Sequence, residues 1–363
     1  MIIHVFPCVH PYHSARMIEN ILKNSTIKPY FLLKGDCSSD LDRYYAVFEK
    51  YSFSDYQFII RRKNKLFLLC YYIRILLALF RKRKSAILFH CLPSVYLIFI
   101  LNLFANNING VCWSTRFVDK KSRNMLFFKK RVINMYREIV CLVSEDKNDL
   151  YRFYNYIIRF VIPYATDENK YKFCDGVYCE KKAGYTNILL GNNAWKADYY
   201  IRDIECIKET SLKKTSLTCM MNYGNCSLDK FEELKSLGIQ YWGKDRFFLL
   251  TDFLSIDNYY LLLKKTDIYI CSWETQTGLS AIYTCLVYGV KCFLDGANYN
   301  IVRELGCIVF KITDLKILSV EEIIMPLTME QKKKNAAIIK EWLNNDRINA
   351  MWNNFYSVIN DDV

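Results

Sequence analysis

The chain has 363 residues, 52% of them apolar and 24% charged, with a mean hydropathy of -0.01. That composition excludes a disordered chain and leaves enough apolar surface for two domains, each with its own core. A net charge of +13 calls for an anionic partner, whether nucleotide, nucleic acid or acidic membrane, and the placement of the charge decides among them.

From the start of the chain, Ile2 to Phe6 reads as a first β-strand. The segment lacks the charged region and small-residue cleavage site of a secretion signal, so export is not expected. Further short apolar runs follow as candidate strands: Tyr30 to Leu33, Gln57 to Ile60, Ile87 to His90, Val111 to Trp113, Ile139 to Val143, and a last one near Val161. Most are separated by helix-length stretches, the alternation of a parallel sheet covered on both faces. Fifteen cysteines, odd in number and mostly inside apolar runs, read as reduced core residues.

Much of the positive charge brackets one apolar stretch. Arg61, Arg62 and Lys63 precede it and Arg81, Lys82, Arg83 and Lys84 follow it. Between them Leu66 to Phe80 is apolar except for Arg74; at 15 residues it is too short to span a bilayer and suited to lying in the interface. Burial as a helix of the α/β domain, with solvated charged ends, is compatible with that contact. The next apolar stretch, Ile87 to Phe104, breaks at Pro93 into a strand and a helix capped by Ser94.

A polar segment, residues 166–183, reads as a linker after a first domain of residues 1–165. Strands then resume at Asn187 to Leu190, Leu217 to Met221, Phe247 to Leu250, Asp267 to Ser272, Lys291 to Leu294 and Ile308 to Ile312. They define a second α/β domain over residues 184–328, with a helix expected at Asp229 to Leu237. Residues 329–363 read as C-terminal helices packing back across the seam, with Trp342, Ile348, Trp352, Phe355 and Ile359 as an apolar stripe. No repeat or nucleic-acid fingerprint is visible, so nucleic-acid binding would stand on charge alone.

The segment richest in chemistry runs from Thr266 through Ser272-Trp273-Glu274-Thr275-Gln276-Thr277-Gly278-Leu279-Ser280 to Leu294, as strand, polar loop, helix and strand. A glycine at a helix start permits close backbone approach, and the helix N–H groups and dipole favour a diphosphate there. A single glycine before a helix is also an ordinary turn. This segment resembles the donor-binding segment of GT-B glycosyltransferases, and more narrowly that of glycosyltransferase family 56. The family pattern Gln-Gln-Gly-Ile-Gly-Thr is met by Gln276-Thr277-Gly278-Leu279-Ser280-Ala281, and Ala-Gly-Ile-Pro-Cys by Tyr288-Gly289-Val290-Lys291-Cys292. Leu190-Gly191-Asn192-Asn193 resembles its Val-Gly-Asn-Ser turn, Met221-Asn222-Tyr223 its Met-Gly-Tyr, and Phe89-His90 its Phe-His. Two departures are Val111 to Phe117, where the family has Trp-His-Ile-Trp-Gly-Ala-Asp, and Thr275, where it has arginine.

The resemblance implies a GT-B fold, two Rossmann-like domains facing a cleft, with an N-terminal acceptor domain and a C-terminal nucleotide-sugar domain. It implies transfer of a TDP-linked 4-acetamido-4,6-dideoxyhexose to an undecaprenyl-diphosphate-linked saccharide in bacterial surface polysaccharide synthesis. The setting is the cytoplasmic face of the inner membrane, where the protein is peripheral. Donor-binding candidates are Gly191, Asn192, Asn193, Tyr223, Glu274, Gln276, Thr277, Gly278, Leu279 and Ser280. The expected membrane contacts are Arg61, Arg62, Lys63, Arg81, Lys82, Arg83 and Lys84.

Such transfer needs a base for the acceptor hydroxyl and positive or N–H groups for the departing diphosphate. All four histidines lie in the N-terminal half; His13 is the candidate base and His90 a second. The ligand-type pairs His10/His13 and Cys174/Cys179 lack partner pairs at zinc spacing, and no obvious Asp-x-Asp stands between a strand and a loop, so no metal or cofactor is expected. The alternative function is a non-catalytic two-domain protein that binds a nucleotide or anionic sugar.

Overall fold

The computed structural model describes residues 1–6, 11–35, 38–60, 65–92, 95–112, 130–164, 184–191, 193–222, 224 and 226–361. The chain divides into two compact units, Met1–Thr166 with Leu343–Val363, and Asp167–Trp342. The segment expected as a linker, the Val111 to Phe117 departure beyond Cys112, Ser94, His10, Cys174 and Cys179 lie outside the described residues.

The first unit begins with β1 (Ile2–Phe6), α1 (Pro11–Asn24), β2 (Pro29–Gly35), α2 (Ser38–Lys50) and β3 (Tyr56–Ile60). It continues through α3 (Lys65–Arg81), β4 (Ala86–Phe89), α4 (Val95–Leu101), β5 (Ile108–Cys112), β6 (Glu138–Cys141), α5 (Ser144–Tyr154) and β7 (Phe160–Val161). The seven strands pair in parallel in the order β3-β2-β1-β4-β5-β6-β7. Every residue of β1 and β4 is buried, as an apolar run covered on both faces requires.

The pleat sends alternate residues to opposite layers. Ile3, Val5, Ile87 and Phe89 pack with Ile75, Leu79, Leu97, Ile98 and Leu101 of α3 and α4. Ile2, Phe6, Ala86 and Leu88 pack on the other side with Ile18 and Ile21 of α1 and Phe48 of α2. The final helix, α13 (Asn345–Asn360 below), completes that second layer with Ile348, Trp352, Phe355 and Ile359. Its ties to this unit are polar as well: Trp352 Nε1 donates to the Pro163 carbonyl at 3.0 Å, and Asn107 Nδ2 to that of Ile359 at 2.6 Å. The stripe expected from the sequence is therefore shorter by one residue, because Trp342 ends a helix of the other unit and the chain breaks helix at Leu343 and Asn344.

The second unit comprises β8 (Thr186–Leu190), a 3-10 turn (Ala194–Lys196), α6 (Ala197–Glu209), β9 (Thr215–Met220), α7 (Leu228–Trp242) and β10 (Phe247–Leu250). Then come α8 (Ile256–Lys265), β11 (Ile268–Cys271), α9 (Leu279–Val287), β12 (Lys291–Leu294), α10 (Gly296–Glu304) and β13 (Phe310–Lys311). A second 3-10 turn (Ile312–Lys316), α11 (Val320–Ile324) and α12 (Met329–Trp342) lead to α13 (Asn345–Asn360) in the first unit. The six strands are parallel, in the order β10-β9-β8-β11-β12-β13. Chain order thus reverses direction between β8 and β11, and in such sheets ligands bind beyond the carboxyl ends of the two strands at that reversal.

In the first unit the corresponding reversal separates β1 from β4. There His4 Nδ1 and His90 Nε2 approach to 2.9 Å, with both residues fully buried. The His90 ring stacks on Phe6 at 4.2 Å. Burial lowers the His4 pKa to about 3; burial, then the neighbouring His4, hold His90 well below its ordinary range. The pair is neutral at pH 7, whereas the unfolded chain protonates near pH 6.5. Stability from the pair is complete above pH 6.5 and is lost as pH falls toward about 3. We expect His4 alone to cost roughly 2 kcal/mol between pH 7 and pH 5. A His4→Gln, His90→Gln double variant should show a shallower fall in unfolding free energy over that range, measured by chemical denaturation.

Candidate functional site

Two strand-to-helix turns of the second unit meet at the β8/β11 reversal. Gly191, just past β8, has φ 59°, and its N–H donates to the Ile270 carbonyl of β11 at 2.9 Å. A Cβ on Gly191 would lie 1.9 Å from a Tyr200 ring carbon, so the site excludes any side chain. The Tyr200 hydroxyl accepts from the Asn193 N–H at 3.0 Å and donates to the Met220 carbonyl at 2.8 Å. Tyr269 donates to the Gly191 carbonyl at 3.2 Å. Asn193 caps the following 3-10 turn by accepting from the Trp195 N–H.

The second turn, residues 272–278, leaves β11 and enters α9. On one side α6 holds its root: Arg202 Nη2 donates to the Ser272 carbonyl at 2.7 Å, and buried Trp273 packs against Tyr199 and Tyr200. On the other side stands the start of α10. The Ala297 N–H donates to the Glu274 carbonyl at 3.1 Å, and a Cβ on Gly296 would lie 2.5 Å from Glu274 Cα. Fully buried Asn298 accepts from the Thr277 N–H at 3.1 Å.

Gly278 ends the turn in the left-handed conformation, φ 64°, as the cap residue of α9, with no side chain capping that helix. From Ala281 to Val287 the helix is buried, while Ser280 in its first turn is exposed. The positive end of the α9 dipole thus opens at the carboxyl edge of the sheet, a geometry suited to a diphosphate. Glu274 is exposed beside it, and Gln276, Thr277 and Leu279 are half-buried.

The structure therefore brings Gly191, Asn193 and Glu274 to Ser280 to the same end of one sheet. Asn192 and Tyr223 lie outside the described residues, as do Arg61, Arg62 and Lys63. His13 falls in the first turn of α1, and its side chain is outside the described set. His90 is enclosed in the buried pair with His4, so its ring has no access to an acceptor hydroxyl; that assignment is corrected, because the ring is fully buried between His4 and Phe6.

Sequence reasoning missed the residues that hold the two turns, Tyr200, Tyr269, Arg202, Asn298 and Gly296. Only Asp295-Gly296 carried a signal, a turn dipeptide after a strand. A cavity of about 290 Å³ in this unit opens elsewhere, at the amino ends of β11 and β12 beside Asp267 and Val290. Its place at the opposite edge separates it from these turns.

Asp203, on α6, is 1% exposed and lies against Ser272 at the root of the second turn. Burial pushes its pKa up to about 7; Ser272 and Arg202 oppose the rise and Asp295 adds to it. A carboxyl that holds its proton longer in the folded state stabilises at low pH, and that contribution is lost as pH rises to about 7. Asp203→Asn is thus expected to exceed the parent in unfolding free energy at pH 8 by a few kcal/mol, with the gap closing by pH 4. Gly191→Ala should destabilise the protein by roughly 3 kcal/mol, since both φ and the Tyr200 contact oppose it. Denaturant titration measures both.

Residues 161–345 match the family described as 4-alpha-L-fucosyltransferase, glycosyl transferase group 56. A glycosyltransferase from Rickettsia africae ESF-5 superposes with a TM-score of 0.72 at 11% identity, covering 99% of this chain and 98% of that one. Anabaena HepE in complex with UDP gives 0.68 at 12% identity, covering 98% and 99%. Sucrose-phosphate synthase from Thermosynechococcus elongatus gives 0.66 at 11%, covering 99% of each chain. At such identities the structural likeness establishes the fold, which is GT-B. The family match, by contrast, rests on sequence and spans more than half of the 363 residues. The chain accordingly belongs to glycosyltransferase group 56 and is a glycosyltransferase.

Proposed function

We propose that this protein moves a 4-acetamido-4,6-dideoxyhexose from its TDP carrier to an undecaprenyl-diphosphate-linked saccharide, in assembly of a bacterial surface polysaccharide such as O-antigen, capsule or common antigen. The observation that carries the donor half of this reading is the meeting of the Gly191 and Gly278 turns at the β8/β11 reversal. The family description names a fucosyl group, a 6-deoxyhexose, which supports a 6-deoxy sugar. HepE was solved with UDP, which makes UDP the natural competitor to TDP.

In this reading the acceptor hydroxyl attacks the anomeric carbon of the donor sugar. The new C–O bond forms as the bond to the diphosphate breaks, and the hydroxyl proton passes to His13. Charge building on the leaving diphosphate is met by the N-terminus of α9, a fixed dipole that needs no reorganisation and no metal ion. The first unit receives the acceptor, at the cytoplasmic face of the inner membrane, with Arg81, Lys82, Arg83 and Lys84 toward anionic headgroups.

Thermal denaturation with TDP, UDP, GDP and CMP tests the donor. A nucleotide at 100 times its dissociation constant adds about 2.7 kcal/mol. A selective rise with TDP is expected; a rise with UDP or GDP alone would replace the TDP-sugar. His13→Ala should lower kcat by about 10²- to 10⁴-fold with the nucleotide-induced shift unchanged. Full turnover by that variant would remove His13 as the base.

A further inference from the structure

Helices α3 and α4 share one layer of the first unit, and each buries one face in it. Ile75 and Leu79 of α3 and Leu97, Ile98 and Leu101 of α4 enter the core. The opposite faces are apolar too, which core packing does not explain. On α3, Ile73, Leu77 and Phe80 are exposed, at i, i+4 and i+7. On α4 and the turn that continues it, Tyr96, Phe99, Ile100 and Leu103 are exposed, at i, i+3, i+4 and i+7, with Leu103 at 74%. The Phe80 and Phe104 rings meet at 5.2 Å and join the two helices at that end.

The charge carried by these two helices and the turns that join them has one sign. No aspartate or glutamate occurs between Asp55 and Asp119, a stretch that holds both helices. Arg74, Arg81, Arg83 and Lys84 are exposed there. The Arg83 guanidinium lies 4.7 Å from the centre of the Phe80 ring, so cation and apolar stripe form one surface. Among the described residues no helix is long and apolar enough to cross a membrane.

We propose that the outer faces of α3 and α4 together form the docking surface of this protein for an anionic lipid bilayer. The apolar stripes enter the boundary between headgroups and acyl chains, and the surrounding arginines and lysines meet the lipid phosphates. Apolar side chains flanked by cations, on two helices that carry no acidic residue, fit such a boundary; a folded protein partner of mixed charge would call for acidic or neutral positions on those helices. This inference rests on the lipid-linked acceptor proposed above and extends it. The contact goes beyond the basic residues to α4, which carries no charge of its own.

The test is sedimentation of the full chain with vesicles of phosphatidylcholine, with and without 30% phosphatidylglycerol. At ~0.1 M salt the protein should pellet with the anionic vesicles and remain in solution with the neutral ones, and at ~0.5 M salt the anionic binding should weaken. Leu77→Glu with Leu103→Glu should lower anionic partitioning by tenfold or more, whereas Leu228→Glu, at an exposed leucine of the second unit, should leave it unchanged. Arg81→Glu with Lys84→Glu should lower it as well. Equal partitioning by the parent and the Leu77/Leu103 variant, equal binding to neutral vesicles, or no binding at all would each overturn the proposal. So would a dimer in solution that the Leu77/Leu103 variant dissolves, since the surface would then face a second copy. The nucleotide-induced thermal shift, measured on the same samples, separates failure of this surface from failure of the donor reading.

Discussion

The close approach of the Gly191 backbone to the Tyr200 ring is the constraint on which the candidate site depends. It leaves no room for a Cβ and fixes a left-handed turn one residue beyond β8. The same tyrosine hydroxyl links Asn193 to the end of β9 through Met220. Because the Gly191 N–H is bonded to Ile270, the turn after β8 and the start of the turn after β11 are held in one register. Buried polar groups with their partners in place rigidify a site; half-satisfied ones weaken it. Here Tyr200, Tyr269 and Asn298 each have a partner among the backbone groups of the two turns.

The two units treat buried ionisable groups differently. In the first, two histidines share one contact and stay neutral, and the environment that neutralises them also closes them off from solvent. In the second, Asp203 lies beneath the turn that leads into α9, where a buried carboxyl is a cost to stability near neutral pH. Such costs concentrate at functional sites, where strain or charge is retained against the interest of the fold. A helix start suited to a diphosphate, with an acidic group behind its loop, is of that kind.

Positive charge is distributed in keeping with the two anionic partners proposed above. One surface, on α3 and α4, pairs cations with exposed apolar side chains, the pattern suited to lipid. At the α9 start, the electrostatic contribution comes from the helix itself, since no side chain caps it. The net charge of +13 is thus not a general stickiness but, in large part, a local property of an acid-free stretch.

The sequence by itself determined the α/β class, the alternation of strands and helices, and nearly every strand to within two residues, because a parallel strand covered on both faces must be a short apolar run. Phe247–Leu250 and Lys291–Leu294 are found where the apolar pattern puts them. The order of strand, polar loop, helix and strand around Gly278 was legible as well, since glycine before a helix has a local physical meaning. The tertiary structure decided the rest. That His90 is buried depends on its distance in chain, 86 residues, from His4. Trp342 and Trp352 lie on one apolar pattern in sequence yet belong to different units, because one helix ends at Trp342 and the next starts at Asn345. Tyr200, Arg202 and Asn298 carry no local signature; each becomes part of the site only when parallel crossovers bring α6, α10 and β11 to one sheet edge. Local propensity is written in neighbouring residues, whereas the support of a site is written in contacts that exist only after the chain has folded.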